Sequence, residues 1–146
     1  MKIYYMETKG CTTIEQSKRL VELGANPRSA DMSWYRATEM YPYELHTNCP
    51  TTHGRSDGDD LIPCWSSEAL CALLPNKVEV NYRDMTLITY KRPDGYEMCY
   101  EDVESDKCVY AFDLDISRPT ILECAYEAFI RLNRWGLYSY GEDIEN

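Results

Sequence analysis

Positive charge is scarce in this 146-residue chain: 15 Lys and Arg stand against 25 Asp and Glu, a formal net charge of −10 at pH 7. A field of that sign repels phosphate backbones and anionic lipid heads, which sets nucleic acid and membrane surfaces aside as direct partners. No apolar run approaches the roughly 18 residues of a membrane span. The opening MKIYYMETKGC has one early Lys, no long apolar stretch and Glu7, unlike a secretory leader. There is no GxSxG, no HExxH and no Gly-rich phosphate loop, so the chemistries those motifs carry have no anchor here. Histidine and phenylalanine are nearly missing, with two residues each. No internal repeat, low-complexity tract or linker interrupts the chain, so residues 1–146 are expected to form a single domain.

Aromatic content comes mostly from tyrosine: 13 Tyr against three Trp. Tyrosine buries its ring and keeps its hydroxyl in water, which suits a sheet face or a partner surface. The seven cysteines are an odd number, and several fall inside periodic apolar patterns. That favours reduced thiols in the cytoplasm over a disulfide framework.

Thr12 or Thr13 starts a helix through TTIEQSKRLVELG, with capping-box spacing to Glu15 or Gln16 and Gly24 as its stop. RSADM reads as one turn. SWYRA and YPYELHT are two β-prone pieces separated by Pro42, and residues 46–60 read as a loop of turn-forming residues. LIPC leads into a short helix capped by Ser66 or Ser67, with Leu70, Leu73 and Leu74 inward and Pro75 at its end. From residue 77 the period becomes two, through KVEVNYR, MTLITYK, YEMCY and CVYAFDL, a meander of three or four antiparallel strands. SRPTILECAYEAFIRLNRWG is a second strong helix, with Ser117 or Thr120 as cap. Ile121, Ala125, Ala128, Phe129, Leu132 and Trp135 form its apolar stripe. The tail 141–146 is acidic and is expected to fray. The fold expected is α+β: an antiparallel sheet of about four or five strands with two or three helices packed mainly on one face.

TTIEQSKRLVELG, then SADM, then DLIPCWSSEALCALLP, then AYEAFIRLNRWG resemble, in order and spacing, a family of small uncharacterised bacterial proteins associated with gut bacteria, their phages and their mobile elements. The resemblance implies a compact α+β domain. It implies no activity and assigns no functional residue, and residues 46–60 lie outside it.

Three groups of residues are candidates for function. His46, Cys49, His53 and Cys64 supply two imidazoles and two thiols, a donor set that zinc takes tetrahedrally. Their spacing is not that of a paired zinc module, so no cofactor is expected. Cys64, ahead of a short helix, is the candidate nucleophile of a thiol enzyme, with His46 or His53 as base. Tyr41 and Tyr43, Tyr96 and Tyr100, and Tyr138 and Tyr140 recur at period two, each pair on one face of an extended segment. Tyrosines framed by acids suit a basic or mixed protein surface. The function expected is therefore a non-catalytic protein-binding or accessory module, in one version an acidic mimic that inhibits a host nucleic-acid-binding protein. The alternative is a Cys/His metalloprotein or a thiol enzyme. Oligomeric state stays open.

Overall fold

The computed structural model describes residues 10–47, 60–80, 82–102 and 110–137. They form three α-helices and seven strands, an α+β chain as expected. The strands are shared between two antiparallel sheets, of three and four strands, where one sheet of four or five was anticipated. The chain forms two compact units that divide between Cys71 and Ala72, and each is built around one sheet.

In the first unit, α1 spans Ile14–Glu22. Thr13 is its cap: the Thr13 hydroxyl accepts from the Gln16 N–H at 3.1 Å, and the Gln16 side chain accepts from the Thr13 N–H at 3.0 Å. This reciprocal box satisfies two backbone donors that a helix start otherwise leaves unpaired. Gly24, at φ 101°, ends the helix in the left-handed region that side chains avoid. A 3₁₀ turn over Pro27–Ser29 leads into β1, Met32–Arg36. β1 is the middle strand, between β2, Glu44–His46, and β3, Asp60–Cys64. α2 then runs over Ser67–Ala72.

β3 corrects the sequence reading. LIPC is a strand, not a helix entry, because all of Asp60–Cys64 pairs in register with Arg36–Met32. Pro63 is tolerated because β3 has β1 on one side only among the described strands, and an edge needs no second ladder of N–H donors. The expected loop over 46–60 is thus strand at both ends. Its residues 48–59 lie outside the described residues, as does the acidic tail 141–146.

The second unit is the expected meander. β4 (Lys77–Val80), β5 (Arg83–Arg92), β6 (Gly95–Glu101) and β7 (Tyr110–Arg118) pair in chain order. The β5–β6 turn depends on Gly95. A Cβ there would stand 2.5 Å from the Arg118 carbonyl oxygen, so the turn can lie against β7 only without a side chain. α3, Ile121–Arg134, packs across β6 and β7. Thr120 caps it by accepting from the Glu123 N–H at 3.1 Å, whereas Ser117 belongs to β7. Its buried face is Leu122, Cys124, Ala125, Ala128, Phe129 and Leu132, opposite Met98, Leu114 and Ile116 of the sheet. Ala125, Ala128, Phe129 and Leu132 of the expected stripe lie in this face; Ile121 is half-buried, and Trp135 follows the helix and is exposed.

Candidate functional site

Strand alternation decides the proposed His/Cys group. Ser33 is directly opposite His46, and Met32 is directly opposite Cys64. Neighbouring residues of one strand face opposite ways, so His46 and Cys64 lie on opposite faces of the same three-stranded sheet. They can neither share a metal ion nor act as nucleophile and base. His46 instead packs its ring on Tyr35, with centroids 5.1 Å apart. Cys49 and His53 lie outside the described residues.

The tyrosine candidates separate by burial. Tyr41 is 60% exposed, next to Met40 at 88%. Tyr43 is half-buried: its ring lies 4.3 Å under the Arg36 guanidinium, and its hydroxyl donates to Asp60 at 3.3 Å. Tyr96 is half-buried as well. Tyr100 is a core residue, 1% exposed, with its hydroxyl donating to the Pro75 carbonyl at 2.8 Å, which removes it from any binding surface. Tyr138 and Tyr140 lie outside the described residues. Tyr82, which the period-two reading of KVEVNYR placed on one face with Val78 and Val80, instead lies beyond β4 at the β4–β5 turn, 97% exposed with φ 66°. A left-handed backbone is unusual for a residue of that size.

Cys64 does have reactive surroundings, but they come from the start of α1 rather than from histidine. Cys11 and Cys64 are both wholly buried, in one cluster with Trp34. Cys11 pairs with Ser66 in an antiparallel bridge, and the Thr12 N–H donates to the Trp65 carbonyl at 2.9 Å. This brings Cys11, Thr12 and Ser17 around the Cys64 sulfur. The hydrogen bond with the Cys11 thiol, assisted by Thr12 and Ser17, holds the Cys64 thiol below its ordinary range, against the opposing effects of burial and of Asp31. As a thiol, Cys64 donates to the Thr12 carbonyl at 3.3 Å; as a thiolate, it would accept from the Thr12 hydroxyl at 3.6 Å. Sequence reading placed Thr12 as a cap candidate and Cys11 as an unassigned thiol. Their role follows from a pairing 52 to 53 residues distant, which periodicity does not reveal.

A second cluster lies on one face of the four-stranded sheet. Cys99 is directly opposite Ile88 and Asp115, and Glu97 and Glu101 share its face of β6. The Cys99 thiol donates to Glu101 at 3.1 Å, and the Tyr90 hydroxyl donates to the same carboxylate oxygen at 2.6 Å. Arg92 forms an ion pair with Glu97. Burial and the neighbouring Glu101 push the Cys99 thiol well up, so it is a protonated donor. The two carboxyls of Glu97 and Asp115 hydrogen-bond and split: burial and Glu97 raise Asp115 to about 6, while Asp115 and Arg92 lower Glu97. Below about pH 6 such a pair holds one shared proton. Glu97, Cys99 and Asp115 each bring one potential ligand atom within 4.8 Å of the others. Two carboxylates and a thiol are donors a divalent zinc-type ion accepts, although Arg92 and Glu101 already engage them. The sequence signal for this cluster was present in YEMCYE, where Glu97, Cys99 and Glu101 alternate with the core face.

Compared with known proteins, the chain matches no protein-family model, none of the curated proteins and none of the solved structures.

Proposed function

We propose that this chain is a small protein-binding accessory module whose partner presents a basic or mixed surface. The observation that carries the reading is the exposed pair Met40 and Tyr41 on the β1–β2 connection, with the exposed carboxylates of Glu39 and Glu44 close in sequence on either side. Tyrosine and methionine side chains bring large apolar contact area, and tyrosine orders at little entropic cost. Acid-flanked aromatics select cationic neighbours, and the net charge of −10 would speed the encounter. Among the described residues, thiols outside any disulfide at Cys11, Cys64, Cys71, Cys99 and Cys124 support a reducing compartment such as the cytoplasm. The resemblance to proteins of phages and mobile elements supports an accessory role. For the version that mimics nucleic acid, support is limited to net charge. The exposed acids stand on α1, β2, α2, β4, β5, β7 and α3 alike, which favours a diffuse field over one charged strip. For a thiol enzyme using Cys64, His46 is no base, because it lies on the opposite face of the sheet.

The test is paired affinity capture from the lysate of the natively expressing cell. Wild-type protein is compared with the Met40→Ala/Tyr41→Ala variant, after thermal melts show both folded. The expected result is a protein partner that the variant binds about 10-fold more weakly or worse, with binding that weakens as salt rises. Equal retention by both proteins would sink this reading.

A further inference from the structure

We propose that Cys11 and Cys64 form a dithiol site that closes reversibly into a disulfide when it meets a low-molecular-weight disulfide oxidant. The two thiols are hydrogen-bonded neighbours in one buried cluster, and neither is in a disulfide. Around the Cys64 sulfur stand the hydroxyls of Thr12 and Ser17 and the Cys11 thiol, at the N-terminal end of α1. Donors and a helix start together stabilise the anion that attacks, and a second thiol in hydrogen-bond contact is placed to resolve the product.

Each step balances. The Cys64 thiolate attacks one sulfur of the oxidant, a new S–S bond forms, the old one breaks, and one small thiolate leaves and takes up the Cys64 proton. Cys11 then loses its proton and attacks the Cys64 sulfur of the mixed disulfide, releasing the second small thiol. The protein loses two hydrogens and the oxidant gains them. Access comes by local opening. The segment before α1 is held to Trp65 and Ser66 by one bridge and by the Thr12 and Trp65 backbone N–H groups, and Gly10, next to Cys11, is already exposed. Opening that short segment uncovers both sulfurs without unfolding the sheet.

The experiment incubates the native full chain with oxidised glutathione, quenches with acid, and maps every cysteine by peptide mass. In the wild type the expected product is a Cys11–Cys64 link, lighter by two hydrogens, with no retained glutathione at either residue and full reversal by dithiothreitol. In Cys11→Ser the resolving thiol is gone, so a glutathione adduct accumulates on Cys64. In Cys64→Ser, Cys11 loses its reaction partner, and its modification falls at least ~10-fold. Wild-type mapping needs no variant to fold. Stable glutathione adducts in place of the link, a link from Cys64 to any other cysteine, or two unreacted thiols after the rest of the chain has oxidised would each overturn the proposal.

Discussion

Thr12 is wholly buried, and its two oxygens meet groups from four other residues. The hydroxyl bonds with Ser17 at 2.8 Å, approaches the Cys64 sulfur and accepts from the Trp65 N–H at 3.1 Å. The carbonyl accepts from the Trp34 indole at 3.0 Å and from the Cys64 thiol. Buried donors of this kind cost more when orphaned than they contribute when paired. Thr12→Val keeps the shape and removes the hydroxyl, leaving the Trp65 N–H without its acceptor. It should cost ~2–3 kcal/mol in urea denaturation. Thr12→Ser keeps the hydroxyl and gives up a methyl group, and should cost only ~1 kcal/mol. The order of the two variants is the informative result. If Ser proves worse than Val, packing rather than hydrogen bonding holds this end of α1.

At the scale of elements, the β5–β6 hairpin supplies the sharpest case. Gly95→Ala would push a Cβ to 2.5 Å from the Arg118 carbonyl and 3.0 Å from the Pro119 Cα, both backbone atoms that cannot turn aside. A loss above ~2 kcal/mol is expected, measured by chemical denaturation. Gly136→Ala is the comparison: its φ of 69° is left-handed, and among the described residues nothing lies within 4 Å, so only the backbone cost of ~1 kcal/mol is expected. Elements of this kind were legible because their signals are local. The Thr13–Gln16 box, the Gly24 stop and the period-two strands from 77 onward each rest on signals that lie within a few residues. β3 was not legible, because Pro63 argues against a strand until β1 is known to pair on one side only. The face of α3 was legible along its centre line, Ala125, Ala128, Phe129 and Leu132, but not at its edges, where Leu122 and Cys124 are also buried, nor at its end, where Trp135 follows the helix. The candidate sites were least legible. Cys64 was named as a candidate nucleophile with a histidine base, but the groups that meet its sulfur are Cys11, Thr12 and Ser17, from the other end of the unit. His46, close in sequence to the other candidate ligands, is turned away by the alternation of a single strand.

Across the whole molecule, an excess of negative charge at neutral pH opposes compaction, and the Glu97–Asp115 pair concentrates part of that opposition. Asp115 carries a folded-state pKa of about 6, above its ordinary 3.8. Its contribution to stability is therefore fully present below about pH 4 and is lost as pH rises through about 6. Glu97 is shifted the other way, from an ordinary 4.5 downward. Its contribution is present above that value and is lost as pH falls through its lowered folded value. The two opposed slopes predict that stability rises as pH falls from 7 toward about 5, then turns down as Glu97 protonates and its ion pair with Arg92 fails. Asp115→Asn separates the two effects, because the amide is neutral at every pH and can still donate to Glu97 as the protonated carboxyl does. The variant should lose the rise between pH 7 and 5. At pH 7.5 it should be more stable than the wild type, by up to ~1 kcal/mol once solvent screening of this exposed residue is allowed for. Glu97→Gln should instead cost ~1–2 kcal/mol at pH 7.5 by leaving Arg92 without its charged partner. Urea midpoints at pH 7.5, 6 and 5 for the three proteins decide it. A wild-type midpoint that does not rise over this range, or an Asp115→Asn protein that still follows the wild-type slope, would show that no proton is shared at this pair.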